Sequence, residues 1–280
     1  MRKLSKAAAA AHVEACRLTD LARELSEAEK QFVLDNFHES TVLGHATGGV
    51  FFTPSALARA MTIHVVGTRI IDLGAGIGHL AFACRNMLDH RHNGEPVREF
   101  VCVEKNPELV RVGMKVVPEA LWVCQDMFAL APRRFRFDTA IANPPYGRAP
   151  RSDTRPGYSG GRFEYHAIAL AAQFARHGVF LIPQTSTPFC RSGHDHFVAN
   201  TEDAEYSRFV AGTGIALMPS CGIDTSQYDR SWHHRPVRTE VALADFTDPT
   251  VLRAHRRSSP VLSFPHRTAL GRARPHWRTR

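Results

Sequence analysis

The 280-residue sequence predicts an α/β fold: a seven-stranded, mainly parallel sheet wrapped on both faces by helices, with the last strand antiparallel. Three observations predict it. Short apolar runs of strand length alternate with helix-length amphipathic segments, which is the pattern of a parallel sheet with crossover helices. One of those runs, "TRIIDLGAGIG", passes directly into a glycine turn. Successive runs end on Asp72, Glu104, Asp126 and Asn143, and in an open parallel sheet the carboxyl ends of the strands are where ligands bind.

In chain order, residues 6–37 read as helical, with Ser26 and Glu29 at the spacing of a capping box. The stretch 44–55 is a glycine-rich loop, and Pro54 sets up a helix through about His64. The strand "RIIDL" leads through its glycines to a helix over about 79–89. "EFVCVE" and a helix around 108–115 follow, then the strands "ALWVC" and "FDTAIA". Residues 147–161 form a loop rich in Gly, Pro and Arg, ahead of a helix over about 163–176 and the strand "GVFLIPQ". "SRFVAGTGIALMP" and "RPVRTEVALADF" read as a closing β pair, joined by a connector that holds Tyr228 and Trp232. The expected division is a helical segment at 1–40, one Rossmann-like doubly wound domain at 41–250, and a flexible basic tail at 251–280.

Composition bounds the function classes. Hydrophobic residues make up 44% of the chain, an ordinary core fraction, and no apolar run has the length of a membrane span. The opening "MRKLSKAAAAAH" is followed at once by Glu14 and Arg17, so it reads as an exposed helix rather than a signal peptide. Six scattered cysteines without a CxxC pair suit free thiols in a reducing, cytoplasmic setting (on the nucleoid, in a bacterium). The histidine pairs 90/92, 194/196 and 233/234 have no third ligand at suitable spacing, and no metal is expected. The net charge of +8 lies wholly in the eight arginines from Arg253 onward, a stretch with no acid. Such a tail reads either as a phosphate-contacting arm or as a solubilising end.

The glycine turn allows a ligand to approach the backbone, and Gly74 and Gly76 are its candidate contacts. Asp72 would repel a pyrophosphate but suits a ligand with an ammonium or sulfonium group. Glu104 can accept both hydroxyls of a ribose. Asp126, with Met127 beside it, can take an adenine amino group and offer an apolar wall to the ring.

"DLGAGIG", "VCVEKNP" and "QDMF" resemble motifs I, II and III of the class I S-adenosylmethionine-dependent methyltransferases. The resemblance implies that Asp72, Gly74 and Gly76 hold the methionine half of S-adenosyl-L-methionine, Glu104 the ribose, and Asp126 with Met127 the adenine.

"Asn143-Pro144-Pro145-Tyr146" has its own chemical logic. An exocyclic amine on an aromatic ring is a poor nucleophile because its lone pair is delocalised. Two acceptors on its N–H groups, the Asn143 side-chain oxygen and the Pro144 carbonyl, draw the nitrogen toward tetrahedral geometry and free that pair. The prolines hold the loop rigid, and Tyr146 offers a face on which an extruded base stacks. Arg148, Arg151, Arg155 and Arg162 around this loop can neutralise backbone phosphates.

The loop resembles motif IV of the amino-methyltransferases, and "GGVFFTPSALA" resembles motif X of the adenine-N6 DNA methyltransferases, in which Thr53 and Pro54 would pack on the methionine end. The resemblance covers roughly 48–183 by motif, and 208–246 by strand pattern alone. It implies methyl transfer to adenine N6 in DNA, with relaxed or short sequence specificity. Two departures stand beside it. No segment is large enough for a target-recognition domain, and the second aromatic for the base is not evident, with Trp232 and Tyr228 the candidates. The same chemistry on RNA or on a protein glutamine is one alternative. A non-catalytic module that binds cofactor or nucleic acid is another.

Overall fold

A computed structural model describes residues 4–38, 51–85, 94, 96–132, 134–148, 157–200, 203–233 and 238–258. The sheet runs in the order β3-β2-β1-β4-β5-β9-β8, from strands β1 (Arg69–Leu73), β2 (Glu99–Glu104), β3 (Leu121–Cys124), β4 (Phe137–Ala142), β5 (Ala175–Pro183), β8 (Met218–Pro219) and β9 (Thr239–Asp245). The pairs from β3 through β5 are parallel. β9, the last strand among the described residues, runs antiparallel between β5 and β8, as the sequence predicts. β6 (Phe189–Cys190) and β7 (Val198–Ala199) form a separate small hairpin.

Alternate residues of each central strand belong to two different cores, as a sheet covered on both faces requires. Ile70, Ile141, Val179, Leu181 and Val241 meet α1 (Lys6–Thr19), α2 (Glu27–Asn36), α3 (Ser55–Met61), α4 (His79–Cys84) and α5 (Pro107–Val116). Ile71, Leu73, Ala140, Phe180, Ile182 and Ala242 meet α6 (Phe163–Ala171), α7 (Ala204–Thr213) and α8 (Pro249–Ser258). The N-terminal helices thus share the sheet's own core. Ser26 and Glu29 form the expected capping box, which starts α2 and divides the predicted helix at 6–37 into two.

Two expectations need correction. The predicted strand at 207–219 is mostly helix. Asp203 caps α7 by accepting the N–H groups of Glu205 and Tyr206, Phe209 and Thr213 bury one face, and Gly214 (φ 72°) ends the helix, leaving strand geometry only to Met218–Pro219. The expected tail begins as helix: Asp248 accepts the Thr250 N–H, and Val251 is buried in the second core. Residues 259–280, with most of the tail's arginines, lie outside the described residues. So do most of the loop at 44–55 and the second half of the helix expected at 79–89.

Among the described residues no helix is long and apolar enough to cross a membrane.

Candidate active site

The chain leaves β1 for β2 and β3 on one side, then returns to β4 on the other. The switch opens a crevice between β1 and β4 at their carboxyl ends. Register fixes what stands there. Asp72 pairs with both Cys102 and Ile141, so the glycine turn after β1 lies beside Asn143 after β4. The turn is tied to β2 by the N–H groups of Gly74 and Ala75, which donate to the Val103 carbonyl at 2.9 and 3.0 Å. Gly74 and Gly76 have φ of +77° and +57°, and a Cβ on either would stand 3.2 Å from Met127 Cε or 3.1 Å from Phe52 Cε1. The small residues keep the cleft open and set its walls.

Thr53, Asp72, Gly74, Gly76, Glu104, Asp126 and Met127 line one cleft together with Asn143 and Pro145. Asp72 is 1% exposed, and neither of its carboxylate oxygens has a hydrogen bond. Burial pushes its carboxyl up to about 8; the nearby Ala81 N–H opposes the shift and the Glu104 charge adds to it. A buried acid with two unused oxygens fits a cationic group in the cleft. Glu104 is held rigidly, one oxygen accepting the Gly76 N–H at 3.0 Å and the other the Asn106 N–H at 2.9 Å. Burial raises its carboxyl above the ordinary value, with the backbone N–H groups opposing. Each oxygen keeps a second lone pair, the capacity a vicinal diol needs. Asp126 is exposed and caps the turn Met127–Ala129 by accepting the Phe128 N–H at 2.8 Å.

Asn143 is fixed from the segment ahead of α3. Its Nδ2 donates to the Phe51 carbonyl and to Thr53 Oγ1, both at 2.9 Å. Its Oδ1 accepts the Tyr146 hydroxyl at 2.5 Å. The Tyr146 ring lies tilted at 37° to Phe51, centroids 5.8 Å apart. Burial, with Glu164 adding, holds the Tyr146 hydroxyl protonated well beyond its usual range. The far end of the loop is anchored where the Phe163 N–H donates to the Gly147 carbonyl at 2.8 Å. Pro144 is buried, and Pro54 caps α3 beside the cleft rather than lining it.

The expected phosphate contacts separate. Arg148 is exposed at the mouth of the loop. Arg162 is bound within the protein: its guanidinium pairs with Asp203 and with Glu205 (3.4 Å), and donates to the Tyr165 hydroxyl at 3.0 Å and the Thr185 carbonyl at 3.1 Å. Arg151 and Arg155 lie outside the described residues. Trp232 is 8% exposed, packed in the first core and edge-on to Phe51.

The structure adds Phe51, Phe163 and His79 to the cleft. Phe163 sits edge-on to Phe128 at 5.4 Å and extends the apolar wall begun by Met127. The paired phenylalanines before Thr53, and an aromatic opening the helix after the proline loop, were the available sequence signals.

No family model and no curated protein matches this sequence. Solved structures do match its fold. A protein of Listeria monocytogenes described as a class I S-adenosylmethionine-dependent methyltransferase aligns over 83% of this chain and 78% of its own, at 12% identity and TM-score 0.51. A Vibrio vulnificus protein described as a modification subunit of a type I restriction enzyme aligns over 81% of this chain at 11% identity and TM-score 0.50. The methyltransferase subunit of a type I restriction-modification system from Streptococcus thermophilus aligns over 80% at 15% identity and TM-score 0.50. The chain spans about half of each subunit, 51% and 52%. At these identities the likeness concerns the fold alone, a Rossmann-like sheet shared with the Listeria monocytogenes protein.

Proposed function

We propose that this chain transfers a methyl group from S-adenosyl-L-methionine to an exocyclic amine of a nucleic acid, the N6 amine of adenine in DNA, with relaxed or short sequence specificity. The observation that carries the reading is the Asn143 amide. Both of its N–H groups are engaged on the protein side, so only its oxygen is left to meet a substrate. An acceptor-only face suits a group with hydrogens to donate, such as a primary amine, and rejects a ring nitrogen or a carbonyl.

Asp72 would hold the cationic end of the cofactor, Glu104 its ribose, and Met127 with Phe163 its adenine ring. Bound there, the sulfonium supplies an activated methyl group. Asn143 Oδ1 and the Pro144 carbonyl accept the amine's hydrogens and localise the nitrogen lone pair toward the cleft. With the methyl group passed from sulfur to the amine nitrogen, the surplus proton would leave to water, since a methylated aromatic ammonium is too acidic to keep it. No side-chain base is required.

The two restriction-modification neighbours support DNA as the polymer, and exposed Arg148 supplies a phosphate contact at the mouth of the loop. With Arg162 engaged internally, phosphate contacts fall to Arg148, Arg151, Arg155 and the basic tail. The test is direct. Incubation with unmethylated DNA and cofactor, digestion to nucleosides and mass spectrometry should reveal N6-methyladenine. Methylation found on RNA or on a protein glutamine instead would redirect the acceptor, and methylation of none of them would remove the activity.

A further inference from the structure

The sequence motif around Thr53 implies a contact with the cofactor. The geometry points to a different role: we propose that Thr53 is a positioning residue for Asn143, holding in place the amide that the Phe51 carbonyl orients with its oxygen toward the acceptor amine. This rests on the proposed methyl transfer and adds to it a residue that holds the amide in its working position.

A carboxamide has two ends of nearly equal size, and a half-turn about its terminal torsion exchanges an acceptor for a donor. In this site the exchange would be fatal, since an NH₂ facing an amine offers it no acceptor. The chain resolves the ambiguity at the Phe51 carbonyl and holds the result at the Thr53 hydroxyl. The Phe51 carbonyl can only accept, so it takes one N–H of Asn143 at 2.9 Å and cannot tolerate Oδ1 in that place. Thr53 Oγ1 takes the second N–H at 2.9 Å. Thr53 is 3% exposed, so its oxygen does not exchange freely with water as a partner. Turning the amide would break the hydrogen bond to Phe51 and set Oδ1 against its carbonyl, while the Thr53 hydroxyl keeps the amide from swinging out of the plane that Phe51 selects.

The clamp is also what joins distant parts of the sequence. Phe51 and Thr53 precede α3, whereas Asn143 follows β4, some ninety positions later. Pro54 caps α3 directly after Thr53, and its ring fixes φ there. Thr53 is therefore presented by a segment stiffened on one side, and Asn143 by a loop stiffened by Pro144 and Pro145. The hydroxyl accepts from Nδ2, and its own hydrogen has no partner among the described residues.

Thr53→Val, nearly isosteric but without the hydroxyl, and Thr53→Ser, which restores it, form the test. Thr53→Val is expected to lower kcat by tenfold or more, to leave the Kd for S-adenosylhomocysteine, measured by calorimetry, within threefold, and to be rescued by Thr53→Ser. A loss of cofactor affinity as large as the loss of kcat would make Thr53 a cofactor contact and overturn the proposal. A second readout needs no turnover. The Asn143 side-chain amide resonances, assigned by their disappearance in Asn143→Ala, should exchange with water at least fivefold faster in Thr53→Val and at the wild-type rate in Thr53→Ser. Equal rates in wild type and Thr53→Val would overturn the clamp. If the wild-type protein methylates no acceptor, the proposed function fails while amide exchange still decides the role of Thr53. Should Thr53→Val not fold, Thr53→Ala carries the same readouts.

Discussion

Two polar clusters centre on Asn143 and Arg162, residues on either side of the loop that follows Asn-Pro-Pro-Tyr, and they are built in opposite ways. Around Asn143, Asp72 and Glu104, polar atoms are held in place but keep unused capacity: two buried oxygens without partners, two with a spare lone pair, and one amide oxygen with a second lone pair beside its bond to Tyr146. Around Arg162 the groups satisfy one another. Its guanidinium meets Asp203, Glu205, Tyr165 and Thr185, and Glu205 also accepts the Tyr158 hydroxyl at 2.6 Å and the Gly161 N–H at 2.7 Å. In sequence Asn143 and Arg162 both read as site candidates at the same loop. Leftover capacity is what distinguishes a site from a brace.

The comparison predicts opposite phenotypes. Asn143→Ala should reduce methyl transfer roughly 10²–10³-fold, since it removes an acceptor aimed at developing charge. Its cofactor affinity and unfolding midpoint should stay near the wild type. A residual activity above one tenth would mean that another group receives the amine.

Arg162→Ala should do the reverse. Breaking a largely buried ion pair strands Asp203 and Glu205, at a cost of about 3 kcal/mol. Thermal unfolding should shift down by several degrees, while the salt dependence of DNA binding should not change. A flattened salt slope with unchanged stability would return Arg162 to the phosphate contacts and erase the contrast between the clusters.

The sequence made the first cluster more legible than the second for physical reasons. Glycines with positive φ, prolines and strand-end acids are local requirements, and each leaves a trace at its own position. The parallel sheet was readable in the same way from β1 through β5. The segment that became α7 was not, because Phe209, Val210 and Ile215 suit a buried strand as well as a helix. Asp203, whose capping decides the matter, stood outside the apolar run. The partners of Arg162 come from positions 165, 185, 203 and 205, and only tertiary packing brings them together. The link from Asn143 to Thr53 was hidden likewise, though both residues were singled out.

The unused oxygens of Asp72 give a pH-dependent test of the first cluster. Its folded carboxyl titrates near 8, above the ordinary 3.8, so the unfolded chain loses this proton first. That contribution to stability is full below about pH 4 and declines as pH rises toward 8, by up to about 1.4 kcal/mol per unit. Asp72→Asn should flatten the decline. A cationic ligand favours the ionised form, so cofactor binding at pH 7 should release a proton, measurable by calorimetry in two buffers of different ionisation enthalpy. No proton release, or release that persists in Asp72→Asn, would mean that the cation lies elsewhere.

The smallest effect tests how fully the first cluster is open. The Tyr146 hydroxyl occupies one lone pair of Asn143 Oδ1, and the carbonyl oxygen has two. If the amine uses the second lone pair, the hydroxyl is a spectator that weakens the acceptor only slightly by sharing it. If the amine needs the first, Tyr146 must turn away before the substrate enters, and its ring leaves its tilted contact with Phe51 as it does so. Tyr146→Phe keeps the ring for stacking and removes only the donor, leaving no buried donor unsatisfied. The expected outcome is a two- to fivefold lower KM for the acceptor with kcat within twofold, since the competing donor is gone and the clamp on Nδ2 is untouched. A tenfold fall in kcat would instead show that the hydroxyl helps to hold the amide. Asn143 would then be satisfied on both its faces, and the distinction between an open site and a closed brace would no longer separate the two clusters.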